Sequence, residues 1–285
     1  MFSIAYRMVG SVADAEDIVQ EAWLRIHCES AAIRSLGAYA TTVTTRLAID
    51  HLRSARVRRE RYVGEWLPEP LLASAAEADP AARTEAADTV SIAFLAMLER
   101  LSPVERAVFL LREVFRYDYG AIAGVVDKTE LNCRRILTRA RSHVQAHAPR
   151  FEVSPARRDA LARRFFAACE EGDLAGLERV LAEDVQFHAD GGGKAPAVRH
   201  PVTGRRAVAR FLLGLLRHAD ASGQRILPTP VNGQPGALVV DRHGRPVAVF
   251  AVHIADGRVQ ALHNVMNPDK LRHLTTSLDG PARAA

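Results

Sequence analysis

Apolar positions recur with a helical period through the first half of the chain and alternate with a strand period near its end. Across residues 11–27, Ala15, Ile18, Val19, Ala22, Trp23 and Ile26 follow the i, i+3, i+4, i+7 rule. This predicts a helix with Asp14 as N-cap and Asp17, Gln20, Glu21 and Arg25 on its outer face. Gly37 opens a second long helix over about 38–61, striped by Tyr39, Val43, Leu47 and Ala48. Helix returns at 89–115, where Ser102-Pro103 has the form of an N-cap followed by proline at N1. A short helix at 119–126 stops at Asp127-Lys128, and Thr129 caps the next. There Cys133, Ile136, Leu137 and Ala140 line one face, with Lys128, Arg134, Arg135, Arg139 and Arg141 mostly opposite. That split suits a helix-turn-helix, in which one face packs inward and the other meets base edges and phosphates. It also suits an amphipathic hairpin with a solvated basic face.

Beyond Pro149 the pattern changes. Two helices fill 157–182, the second with Asp173 as its cap, and a strand follows at 185–189. DGGGK occupies 190–194 and a helix runs from Thr203 to His218. Four β-like runs at 225–231, 236–241, 246–254 and 258–266 are separated by Asn232-Gly233, His243-Gly244 and Asp256-Gly257. These turns are hairpin signals and predict an antiparallel sheet. Helices followed by such a sheet make an α+β domain, and the tail after His273 reads as loosely ordered.

Charge adds a partner class. The net charge is +5 and nearly all the basic residues are arginine, which favours a polyanion. Between Arg46 and Arg61 six arginines face two acids, either a solvated helix end or a phosphate-contacting surface. Residues 65–88 are the reverse, with six acids against one arginine and prolines at 68, 70 and 80. Such a stretch reads as an extended acidic linker. Cys28, Cys133 and Cys169 are scattered, with neither a disulfide framework nor zinc spacing, and read as reduced residues of a cytoplasmic protein. No run approaches a membrane span, and the apolar N-terminus, interrupted by Arg7, is not a signal peptide.

Three strings make the chain recognisable: VADAEDIVQEAWLR at 12–25, TRLAIDHLRSARVRRE at 45–60, and the helix-turn-helix ending in TRAR at 138–141. Residues 1–61 resemble region 2 of bacterial sigma factors and 89–148 resemble region 4, in the order of the extracytoplasmic-function group. WLPEP at 66–70, DGGGK at 190–194 and NPDKL at 267–271 resemble the three signatures of its SigJ-type members, which carry a fused SnoaL-like domain. The implied architecture is multidomain. Two all-α domains, region 2 at 1–63 and region 4 at 89–149, flank an acidic linker at 64–88. A SnoaL-like cone of curved antiparallel sheet follows at 155–274, with a tail at 275–285. Compared with that family the first helix is short by about ten residues, and Tyr39-Ala40 replaces the Trp-Leu pair usual before the TTV stretch.

The resemblance also implies roles. Asp17, Gln20, Glu21, Leu24 and Arg25 would dock on the β′ clamp helices of core RNA polymerase, and region 4 would meet the β flap. Arg46, Asp50, Arg53, Arg56, Arg58 and Arg59 would engage and open the −10 promoter element. Lys128, Thr129, Glu130, Asn132, Arg134, Arg135, Thr138 and Arg139 would read the −35 element.

For the C-terminal domain two readings stand. DGGGK lacks the spacing and the Ser or Thr of a phosphate loop. His188 and Asp190 with His253 or His263 imitate a two-histidine, one-carboxylate iron site, and Asp190 is the candidate general base for an isomerase or hydrolase. Otherwise the domain regulates the sigma regions in place of a separate anti-sigma protein. Trp66, Leu67, Pro68, Glu69 and Pro70 would then work with Asp190, Gly191, Gly192, Gly193, Lys194, Asn267, Pro268, Asp269 and Lys270. This second reading has no catalytic residue, metal or cofactor, and it leaves open an unidentified small ligand in the pocket. The wider alternative is a DNA-binding regulator whose C-terminal domain senses a ligand or turns one over.

Overall fold

The computed structural model describes residues 1–29, 35–59, 62–72, 91–145 and 154–278. The remaining linker residues 73–88, and the chain beyond Leu278, lie outside the described part, as do the side chains of Arg56, Arg58 and Arg59. Two compact units divide the chain: Met1–Arg61 with Phe94–Ala148, and Tyr62–Ala93 with Pro149–Ala285. The linker segment from Tyr62 therefore groups with the C-terminal domain.

The first unit is helical: α1 (Phe2–Val9), α2 (Val12–Glu29), α3 (Leu36–Arg59), α4 (Ile92–Leu98), α5 (Pro103–Phe109), α6 (Tyr119–Val126) and α7 (Glu130–Gln145). The Asp14 backbone N–H donates to Ser11 Oγ at 3.2 Å, so Ser11, three residues earlier than expected, supports the start of α2. Ser102 caps α5 as predicted, in a reciprocal capping box with Glu105 and with Pro103 at N1. Asp127 ends α6 in the left-handed region at φ 53°, and the Asn132 N–H donates to Thr129 Oγ1 at 3.2 Å at the start of α7.

Side chains from both halves of this unit tie it together. Arg46 on α3 donates to the carbonyls of Val125 (2.9 Å) and Gly124 (2.8 Å) at the end of α6. Thr41 Oγ1 lies 2.8 Å from Tyr117 Oη. Buried Arg106 donates through Nη1 to the Met8 carbonyl and to Glu99, each at 2.6 Å.

In the second unit, α8 (Pro155–Glu170) and α9 (Leu174–Val180) lead into β1 (Leu181–Asp190). Then come β2 (Val202–Thr203), α10 (Arg205–Ala221), β3 (Arg225–Pro228), β4 (Gly236–Val240), β5 (Pro246–Ala255), β6 (Arg258–Val265) and α11 (Pro268–Leu278). The six strands lie in the order β2-β1-β6-β5-β4-β3. The hairpin-linked strands β3 to β6 are antiparallel, as the turn residues predict. Asn232-Gly233 and Asp256-Gly257 both take positive φ there. One pairing departs from the expected antiparallel sheet, since β1 runs parallel to β6. β2, α10 and β3 to β5 lie between β1 and β6 in the chain, so no hairpin dictates their relative direction. Helix α11 continues to Leu278, past the point where a loose tail was expected.

Strand alternation divides the sheet's side chains between two faces. On one, Phe187, Val252 and Leu262 join Phe165 and Leu177 in the core beneath α8, α9 and α10. His188 and Asp190 alternate with Phe187 on β1, and the register sets His188 beside His263. These side chains therefore occupy the opposite face.

Candidate functional site

Linker residues 62–72 lie against that opposite face, and Asp190 is the anchor. It is fully buried. Its Oδ1 accepts from Tyr62 Oη at 2.5 Å. Its Oδ2 accepts from the Leu67 backbone N–H at 2.8 Å and from Lys270 Nζ at 2.6 Å. Its carbonyl accepts from the N–H groups of Met266 (2.7 Å) and Asn267 (2.9 Å). Lys270 also donates to the Leu67 carbonyl, and its ammonium lies 4.0 Å from the centre of the Trp66 ring. Such a buried pair gains little net stability over apolar packing, but removing one partner strands the other.

WLPEP fits this role by what its backbone lacks. Pro68 and Pro70 have no N–H, so the segment cannot continue as helix and offers few donors. The polar groups that remain find partners. Besides Leu67, the Leu71 N–H donates to Asn232 Oδ1 (2.9 Å) and the Leu71 carbonyl accepts from the Asn232 N–H (2.8 Å). The Pro70 carbonyl meets His273 Nε2 at 2.8 Å, and Leu67 is buried.

The glycines of DGGGK are explained by clearance. A Cβ on Gly192 would lie 2.2 Å from Asn267 Nδ2 and 2.9 Å from Tyr62 Oη, and one on Gly193 would lie 3.1 Å from Val63 Cβ. Both residues have positive φ, at 56° and 70°. Asn267 donates through Nδ2 to Tyr62 Oη at 2.7 Å, and Lys194 pairs with Asp269. Burial, then the bond to Asp190, pushes the Tyr62 phenol well above its ordinary pKa. The three signatures thus come together in one cluster. Tyr62, Glu65, Asn232 and His273 also belong to it, and the sequence reading missed them. Only the tyrosine four residues before Trp66 offered a hint.

The iron-site reading does not fit this arrangement. Both Asp190 oxygens are taken by the linker and Lys270. His188 bonds Glu65 Oε1 at 2.7 Å, and its ring stacks on His263 at 5.1 Å. Burial, and then the neighbouring His188 and His253, hold the His263 pKa well below its ordinary value. A depressed folded pKa means that only the unfolded chain takes up this proton as pH falls below about 6.5. The second unit should therefore lose stability on acidification by up to about 1.4 kcal/mol per pH unit for this histidine. Denaturation from pH 7.5 to 5.5 should show this slope in the wild type and a smaller one in His263→Asn.

In the first unit, every −35 candidate on and before α7 is exposed, while Cys133, Ile136, Leu137 and Ala140 are buried. The Arg134 guanidinium stacks over Tyr119 at 4.2 Å and bonds Glu130 at 3.3 Å. Arg135 and Arg139 have no ion pair among the described residues. Of the −10 candidates, Asp50 and Arg53 are exposed and bond one another at 3.1 Å, whereas Arg46 is engaged with α6. On α2, Asp17, Gln20, Glu21, Leu24 and Arg25 are exposed together. Trp23, expected in the buried stripe, is 55% exposed and stacks on His27 at 5.2 Å. It sits one position beyond the fully buried Ala22, just outside the stripe that packs inward.

Family comparison gives this geometry its setting. Residues 1–58 match Sigma-70 region 2, residues 91–144 match Sigma-70 region 4, and residues 162–267 match the SnoaL-like domain. The ECF RNA polymerase sigma factor SigJ of Mycobacterium tuberculosis is 39% identical over 280 residues, covering 95% of this chain and 89% of that protein. This chain belongs to the ECF RNA polymerase sigma factors. The probable ECF sigma factor SigI of the same species is 33% identical over 288 residues, covering 98% of this chain and 94% of that one. The crystal structure of Mycobacterium tuberculosis SigJ superposes with a TM-score of 0.78 at 36% identity, covering 95% of this chain and 94% of that one. The two sigma regions and the α+β domain expected from the sequence are borne out. As an ECF sigma factor, the chain directs RNA polymerase to promoters.

Proposed function

We propose that this sigma factor is restrained by its own C-terminal domain, which holds the linker between its two DNA-reading regions. It works in the cytoplasm on core RNA polymerase. The exposed face of α2, including Trp23 and Leu24, docks on the β′ clamp helices, and region 4 docks on the β flap. Arg53 and Asp50, with the arginines that end α3, meet the −10 element. Arg135 and Arg139, with Lys128, Thr129, Glu130, Asn132, Arg134 and Thr138, meet the −35 element, where a bidentate contact contributes about 1–3 kcal/mol. Catalysis has no part in this reading, because the residue best suited to be a base serves the linker.

The observation that carries the proposal is the buried Asp190–Lys270 pair closed over Tyr62 and Leu67. A second observation agrees. The −10 and −35 elements lie about 25 base pairs apart, or about 85 Å at about 3.4 Å per pair. A compact body the size of the first unit has a radius of gyration of about 13 Å. The arms must separate to reach both elements, and Arg46 must leave α6 to touch DNA.

The test is run-off transcription with core RNA polymerase and a promoter of this factor. Wild-type protein should bind the polymerase and support a transcript. Tyr62→Phe removes a hydrogen bond to a charged acceptor, worth about 1.5–3 kcal/mol, while leaving the domain intact. Its transcript should rise roughly tenfold or more. No polymerase binding would sink the sigma assignment of these surfaces, and an unchanged transcript from Tyr62→Phe would sink the restraint.

A further inference from the structure

The basic helix α7 sorts its exposed side chains into a braced flank and an outward row. On the flank that turns towards α6, the Arg134 guanidinium lies 4.2 Å from the centre of the Tyr119 ring and bonds Glu130 at 3.3 Å. Arg112 packs over the same ring at 4.8 Å and donates to the Tyr117 carbonyl at 2.8 Å. The outward row is Leu131, Arg135, Thr138 and Ser142, spaced i, i+4, i+7 and i+11, and all four are exposed. It lies opposite buried Cys133, Ile136, Leu137 and Ala140.

Both hydroxyls of the row are spent within the helix. Thr138 Oγ1 donates to the Arg134 carbonyl at 3.0 Å, and Ser142 Oγ donates to the Thr138 carbonyl at 3.2 Å. The row therefore presents one charged group, Arg135, and one large apolar group, Leu131, which is 60% exposed. Leu131 stands in the first turn of α7, the part of such a helix that meets base edges in the major groove. Of the base edges exposed there, only thymine's carries a methyl group. We infer that Leu131 reads a thymine of the −35 element through its C5-methyl group. This rests on the −35 role of α7 proposed above. Packing the methyl group on the leucine removes apolar surface of both from water. Cytosine in the same place turns its amine towards a side chain that offers no acceptor, and an amine buried unpaired is disfavoured. Leu131 thus selects thymine over cytosine, while Arg135, one turn along, supplies the neighbouring charged contact.

The test uses holoenzyme assembled from core RNA polymerase and the full chain. Selection from a duplex library randomised over the −35 element gives the preferred sequence. Each thymine in it is then replaced in turn by deoxyuridine, which removes only the methyl group. Wild-type holoenzyme should lose about fourfold in affinity at one of these thymines. With Leu131→Ala the same replacement should have no effect, and selection should lose its preference at that position alone. Because Leu131 is exposed, this variant should melt with the wild type. Leu131→Met keeps an apolar side chain of similar volume and should retain the preference. A preferred sequence without thymine, no loss at any deoxyuridine, or a loss that persists in Leu131→Ala overturns the inference. Weaker binding of Leu131→Ala to core RNA polymerase with unchanged base preference also overturns it and assigns Leu131 to a protein contact. Selection without preference at any −35 position would instead refute the −35 role of α7 itself.

Discussion

Replacing Asp190 with alanine should cost the second unit about 3–5 kcal/mol, on the order of 10 °C in its melting temperature. The size follows from what the substitution strands. Lys270 keeps its charge in a site where its side chain is 8% exposed, and the Leu67 N–H and Tyr62 hydroxyl lose their acceptor. Asp190→Asn should cost less, since its amide oxygen can still accept one of these bonds. Asp190→Ala combined with Lys270→Met should cost less than the sum of the two, because it removes both buried charges at once. Urea denaturation of the wild type and the four variants, Lys270→Met alone included, with hydrogen exchange at Leu67, provides the measurement. A loss under about 1 kcal/mol for Asp190→Ala, with an unchanged Leu67 amide, would show that the pair does not anchor the linker.

Local periodicity carried most of the fold. The stripe of Cys133, Ile136, Leu137 and Ala140 packs inward as spaced, and the Asn-Gly and Asp-Gly turns are where the hairpins reverse. Failures came where a local rule had a close competitor. Ser11 and Asp14 both suit a helix start, and the serine sits where the first free N–H groups need an acceptor. Trp23 falls at the margin of its stripe, and a large aromatic side chain reads as core unless its partner surface is known. The parallel β1–β6 pairing has no turn residue to announce it. At the clamp, the sequence supplied the motifs but not the geometry. Asp190 and Leu67 are 123 positions apart and Asn267 and Tyr62 are 205 apart. No period or spacing relates such positions, so the DGGGK glycines could be read only as permitting some close approach. The approaching groups, Tyr62 and Asn267, emerge only from the fold.

Arg106→Ala should destabilise the first unit by a similar amount, about 3–5 kcal/mol, and should loosen its two sigma regions from each other. Arg106 is 2% exposed. Its Nη1 bonds the carbonyl of Met8, in the last turn of α1, where that oxygen has no partner within its own helix. The same nitrogen bonds Glu99, whose side chain is 18% exposed and would lose this charged partner. Met8 belongs to region 2, whereas Glu99 and Arg106 belong to region 4, so this guanidinium braces one region against the other. About 4 kcal/mol corresponds to roughly a thousandfold shift toward states in which the brace is broken. Arg106→Met keeps the apolar stem and should retain more stability while still losing the brace. Small-angle scattering of the full chain should therefore report a larger radius of gyration for both variants, and thermal melting should separate them. Unchanged scattering with unchanged melting would mean that the apolar contacts of α1 and α3 hold region 4 by themselves. Opening would then be controlled at Arg46, whose bonds to α6 must break before the −10 surface is free.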